Sequence, residues 1–130
     1  MAGYRDPMHG TERVRFPRSV YGIGQEPDPR FSLANERTFL AWIRTALACI
    51  AGGVAVDAVV LPLPEITRVA TSAVLLLLGL GVPPMAWFSW AATERALRLD
   101  RPLPASPATP AVALGVLTVA ILIGIGSFVR

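Results

Sequence analysis

The chain reads as an all-α integral membrane protein with three transmembrane helices. Two observations predict this class. Of its 130 residues, 53% are hydrophobic and 16% charged, with a mean hydropathy of +0.53, a balance foreign to a small water-soluble domain. The apolar residues are also gathered into three stretches, Phe39 to Leu61, Thr67 to Trp90 and Pro110 to Val129. Each has the roughly 20 predominantly apolar residues that a helix needs to cross a bilayer.

The first 37 residues are polar and hold six arginines, with no continuous apolar core of the kind a signal peptide carries. The first span is therefore expected to act as its own uncleaved insertion signal. Residues 1–27 mix proline, glycine and charge without helical or strand periodicity and are expected to form a disordered cytoplasmic tail. Residues 28–130 are the transmembrane domain. Its helical order is predicted to begin at "DPRFSLANERTF", where Asp28 suits an N-cap and Pro29 the first helical position, whose N–H has no partner in any case. Phe31, Leu33 and Ala34 beside Arg30, Asn35, Glu36 and Arg37 make this an amphipathic extension. It is expected to lie at headgroup level before the chain enters the membrane.

Within the first span, Ala34, Ala41, Ala48 and Ala55 recur every seven residues. That spacing makes a stripe of small side chains along which another helix can approach, and Ala48 with Gly52 adds a second small pair. "LPLPEIT" is long enough only to reverse direction, so the first two spans form an antiparallel hairpin. Pro83 and Pro84 deprive the second span of backbone donors, and a kink or local unwinding is expected there. Trp87 and Trp90 then mark the membrane interface. A polar connection with Arg95, Arg98 and Arg101 leads to the last span, which has no charge before Arg130.

Arginine placement predicts orientation. The tail and the second connection hold most of the arginines near the spans, whereas the hairpin turn contributes Arg68 and the C-terminus Arg130. The positive-inside rule puts the N-terminus in the cytoplasm and the C-terminus outside. The net charge of +3 and pI near 10 are thus explained by topology, and nucleic acid is not an expected partner.

Catalytic and cofactor chemistry finds no support in the sequence. Cys49 is the only cysteine and lies inside a span, and His9 is the only histidine. No disulfide, Cys-X-X-Cys pair or zinc cluster can be built from them. Ser/His/Asp and Cys/His sets, Gly-rich phosphate loops and paired carboxylates are also missing, so no enzyme, cofactor or metal is expected.

The charges at the membrane entry are the candidate site. Arg44 lies five residues into the first apolar run, about 8 Å along the helix axis, where its side chain can snorkel back to phosphates. Arg37, seven residues earlier, shares its face at a separation of about 10 Å along the helix. Repeated around an oligomer, the two would form stacked positive rings. Glu36 points about 100° away from Arg37 and needs a partner on another helix, for which Arg95 and Arg98 are the candidates within the chain. Asp57 is about 20 Å further along than Arg44 but only a hairpin turn away from Arg68. An outer Asp57–Arg68 pair is expected.

"DPRFSLANERTFLAWIRTALACIAGGVAV", with the later "ATERALRLDRPLP", resembles the YidH family of small bacterial inner-membrane proteins, a family of unknown function. The resemblance runs from about Asp28 to the end of the chain. It implies a three-span protein of the bacterial plasma membrane. The same family includes the transmembrane domain of the eukaryotic vacuolar transporter chaperone complex, which makes and translocates polyphosphate. In that complex the Ala-Asn-Glu-Arg-Thr-Phe-Leu run opens the first of three helices around a basic pore. The resemblance thus implies roles for Glu36 and Arg37; Arg44 belongs to the pattern of bacterial members. The polymerase and phosphate-sensing domains of the eukaryotic complex have no counterpart in these residues, so polyphosphate synthesis is not implied.

The expected function is a channel-like or transport-accessory subunit for an anionic solute, as a homo-oligomer or with another membrane protein. The alternative is a structural or interaction subunit of a larger membrane complex, its arginines bound to anionic lipid headgroups.

Overall fold

A computed structural model describes residues 15–129. Its elements are α1 (Arg18–Tyr21), α2 (Pro29–Ala58), α3 (Glu65–Arg98) and α4 (Ala108–Phe128). The last three are long and apolar enough to cross a membrane. With 30 and 34 residues, α2 and α3 run about 45 and 51 Å, well beyond a hydrocarbon core of about 30 Å. Both therefore project from it. With 21 residues and about 32 Å, α4 only just spans.

The α2 start is set locally. The Asp28 carboxylate accepts from the Arg30 N–H at 2.9 Å, and Pro29 occupies the first turn. From there the helix continues unbroken into the membrane, so the amphipathic extension is coaxial with the first span and does not lie flat at headgroup level. Its polar face explains the difference. Ser32 and Asn35 find partners on α3, which hold the extension upright against that helix.

The α2 helix ends at Ala58, three residues before the expected Leu61, because the turn through Pro62 and Pro64 begins there. The α3 helix passes through Pro83 and Pro84 without unwinding. Val82 and Ala86, each 1% exposed, are packed on either side of the pair, so surrounding helix contacts sustain the turn that lacks its donors. At its C-terminus Asp100 adopts φ 51°, and the Arg101 N–H closes onto the Ala96 carbonyl at 2.9 Å. This is a Schellman-type stop, with aspartate in the left-handed position.

The helix α3 is central. Both α2 and α4 pack on it, and no Cα of α4 lies within 8 Å of one in α2. The α2–α3 seam is built from small residues: Ala46, Cys49 and Gly53 of α2 are buried, as are Ser72 and Gly79 of α3. A Cβ on Gly53 would lie 3.2 Å from the Ser72 carbonyl oxygen, and one on Gly79 would lie 3.2 Å from that of Ala46. The seam is locked by the Ser72 hydroxyl, which donates to the Gly53 carbonyl at 2.9 Å. The seven-residue stripe lies elsewhere. Ala34, Ala41, Ala48 and Ala55 are all exposed, on the side of α2 turned away from this seam.

Residues 15–27 also depart from the expected tail. Val20 is 1% exposed, α1 packs on α3, and the Gln25 N–H donates to the Arg98 carbonyl at 3.1 Å. Val20, the Tyr21 ring against Trp90 and Arg98, and a backbone bond to a helix terminus hold this segment, features that composition averaged over 27 residues conceals. Residues 1–14, including His9, lie outside the described residues, as does Arg130.

Candidate functional site

The two ends of the helical hairpin differ in chemistry. At the turn, Arg68 of α3 donates to the Asp57 carbonyl oxygen at 2.9 Å and to its carboxylate at 3.3 Å. The structure thus brings these two residues together. Asp57 is 68% exposed in its side chain, so the pair is solvated and of small energetic weight.

At the other end, the arginine-rich one, Glu36, Arg37 and Arg44 are all exposed. Arg37 and Arg44 lie on the outward face of α2 with Ala41, Ala48 and Ala55. None of the three charged residues forms an ion pair with a described residue. Glu36 does not meet Arg95 or Arg98. Arg98 is taken by Glu94, one turn earlier on its own helix, at 3.6 Å, and both side chains are buried. Helical spacing of four residues makes that pair local, whereas Glu36 stays exposed and forms no ion pair with either arginine.

Glu94 is the centre of the polar cluster at this end and is 2% exposed. The Ser32 hydroxyl donates to its Oε1 at 2.9 Å, and the Asn35 amide donates to its Oε2 at 3.4 Å. Asn35 Nδ2 also reaches the Trp90 carbonyl oxygen at 3.1 Å. The two sequence segments singled out at the start, "SLANER" and "ATER", thus meet here, but through Ser32, Asn35 and Glu94. Sequence reasoning passed over these three. The available signal was a carboxylate within one turn of the aromatic anchors of α3, together with two short polar residues on one face of the extension.

Around this cluster sits an aromatic collar. Phe39 lies 6.4 Å from both Trp87 and Trp90, which are 5.2 Å apart. Tyr21 lies 6.3 Å from Trp90 and takes the Arg98 guanidinium over its ring at 4.8 Å. Burial, then the negative charges of Glu94 and Glu36, push the Tyr21 hydroxyl above its ordinary value of 10.0, against the opposing pull of Arg98 and Arg15. Beside the collar an open groove of about 650 Å³ separates residues 24–28 from the end of α3. Glu26, Asp28 and Asp100 line it with Arg98 and Arg101, three acids against two bases, so it lacks the positive excess that would select an anion.

Among the described residues no group of three His, Cys, Asp or Glu side chains could hold a metal ion. This end of the hairpin presents an exposed arginine face on α2 and a satisfied buried carboxylate behind it.

Comparison with known proteins places this arrangement in a family. Residues 30–96, from the α2 extension to just past Glu94, match the domain of unknown function DUF202. The inner membrane protein YidH of Escherichia coli is 38% identical over 102 residues, covering 78% of this chain and 89% of the relative. An uncharacterised protein of Mycobacterium tuberculosis is 42% identical over 101 residues, covering 75% and 80% respectively. No solved structure matches. With its three spanning helices and these bacterial inner-membrane relatives, the chain is a multi-pass protein of the bacterial plasma membrane and belongs to the DUF202 family.

Proposed function

We propose that this protein is a non-enzymatic, homo-oligomeric membrane subunit in which the outward face of α2 is covered by a second copy and its arginines line a shared site for an anionic solute. The observation that carries this reading is the placement of Arg37 and Arg44. Both lie exposed on one face among Ala41, Ala48 and Ala55, with no ion-pair partner among the described residues. Arg44, about 8 Å into the first apolar run, carries part of what a mid-bilayer cation costs, about 2.5–3.5 kcal/mol, and the small residues beside it favour helix-to-helix approach. With α2 and α4 each packed on α3 and no Cα pair between them within 8 Å, this reading puts the solute path between copies of the chain. On the positive-inside rule this site opens to the cytoplasm.

A second reading has its own support. The Phe39–Trp87–Trp90 cluster suits headgroup level, and Arg44 is only about 8 Å further along the helix, within reach of lipid phosphates. On that reading the protein is a structural subunit of a larger complex, anchored to anionic lipid.

Anion flux through the purified full-length protein in liposomes separates the two. The channel-like reading expects flux that falls at least several-fold in Arg37→Ala and Arg44→Ala, together with a defined oligomer in mild detergent. A monomer without arginine-dependent flux overturns it. Retention of anionic lipid by that monomer, lost in the same variants, supports the second reading.

A further inference from the structure

Glu94 of α3, Tyr21 of α1 and Gln25 of the α1–α2 connection all meet at Arg98. Its guanidinium lies 3.6 Å from Glu94 on one side and 4.8 Å from the Tyr21 ring centroid on the other. Its backbone carbonyl accepts from the Gln25 N–H at 3.1 Å. Gly24, at φ 64°, crosses so close that a Cβ there would lie 2.7 Å from the Arg98 carbonyl carbon and 3.1 Å from its Cβ. The approach and the left-handed backbone both require glycine at this crossing. Val20 of the same segment is buried, at 1% exposure. The Arg98 side chain is only 7% exposed, and its Nε makes no hydrogen bond.

Glu94, the other partner of Arg98, is the residue that ties α3 to Ser32 and Asn35 of α2. A single arginine therefore belongs to two assemblies, the helix-to-helix cluster and the docked N-terminal segment.

We propose that residues 17–25 form a detachable strap whose docking is coupled, through Arg98, to the Glu94 carboxylate. Docked, the strap covers the Arg98 guanidinium with the Tyr21 ring. Lifted, it uncovers the guanidinium and adds a cation to the exposed arginines of the same end. The coupling runs both ways, as any linkage between two equilibria must. Loss of the Glu94 charge loosens the strap, and loss of the strap leaves the Arg98 pair open to water, where it is weaker.

The test uses the full-length protein in mild detergent, in a Cys49→Ala background, with single cysteines at Val20 and, as an exposed reference, Ser19. The probe is a charged maleimide. Val20→Cys is expected to label at least 10-fold more slowly than Ser19→Cys. Gly24→Val, which acts only at the crossing, and Tyr21→Leu, which removes the ring over Arg98, are each expected to raise the Val20→Cys rate several-fold. Glu94→Gln is expected to raise it as well, and the combination with Gly24→Val to add little. Equal labelling of Val20→Cys and Ser19→Cys in the parent overturns the strap. Fast labelling in Gly24→Val with no change in a monodisperse Glu94→Gln protein overturns the coupling.

Discussion

Ser32 and Glu94 are 62 positions apart in the chain, yet the Ser32 hydroxyl donates to the Glu94 carboxylate at 2.9 Å. That bond joins the first turn of α2 to the last turns of α3 and fixes the register of the two helices at the arginine-rich end. Asn35, one turn further along α2, supports it from the same face.

Removing the carboxylate is expected to be more damaging than removing its donor. Glu94→Ala leaves the buried Arg98 charge unpaired and is expected to cost about 3–5 kcal/mol. Ser32→Ala removes one hydrogen bond to a charged group, for about 1.5–3 kcal/mol. Thermal unfolding of the purified protein, followed by circular dichroism, ranks the two; an equal loss would mean that Glu94 acts only through Ser32.

The α2–α3 seam is expected to reject added side chains at particular glycines. Gly53→Val drives a Cβ to 2.9 Å from Leu76 Cγ and 3.2 Å from the Ser72 carbonyl, with an expected loss of about 1–3 kcal/mol. Gly81→Ala and Gly124→Ala meet nothing within 4 Å and are expected to be neutral or to stabilise by up to about 1 kcal/mol through helix propensity. Unfolding midpoints of the three variants, compared in one detergent, check this contrast.

The Tyr21 hydroxyl titrates above its ordinary value. An unfolded chain loses that proton first, so this group's contribution to stability is complete below about pH 10 and declines as pH rises through the raised folded value. In a Tyr4→Phe background, tyrosinate absorbance is expected to show a midpoint above 10, falling on Glu94→Gln because one of the charges raising it is gone. An unchanged midpoint in that variant would place Tyr21 out of range of Glu94.

Arg37→Ala and Arg44→Ala are expected to leave the unfolding midpoint of the isolated chain nearly unchanged, within about 0.5 kcal/mol, because neither side chain has an ion-pair partner among the described residues. If association between copies is lost in the same variants, the arginine face is an interface. A large drop in the stability of a monomer would instead require an intramolecular role.

Asp57→Asn is expected to change stability by less than about 1 kcal/mol, and the effect is expected to shrink at high salt, since the pair with Arg68 is solvated. Unfolding at two ionic strengths measures it.

Fold class and span number were legible in the residues because bilayer thickness sets a length that any apolar run either meets or fails to meet. The N-cap at Asp28, the hairpin turn and the Asp57–Arg68 approach were legible too, since each depends on neighbours within about a dozen positions. The inner cluster was not. Charge at the membrane entry drew interest to Glu36 and Arg37, but both are exposed while Asn35, between them and Ser32, is buried.

By itself, then, the sequence determined three membrane-crossing helices and their order, through hydropathy and local turn chemistry alone. Tertiary structure decided which polar groups meet. The close fit of Ala46, Cys49 and Gly53 against α3 sets the rotation and register of α2. Only that rotation places Ser32 and Asn35 on Glu94 and leaves Arg37 and Arg44 facing outward, because in a helix an offset of one residue moves a side chain by about 100°.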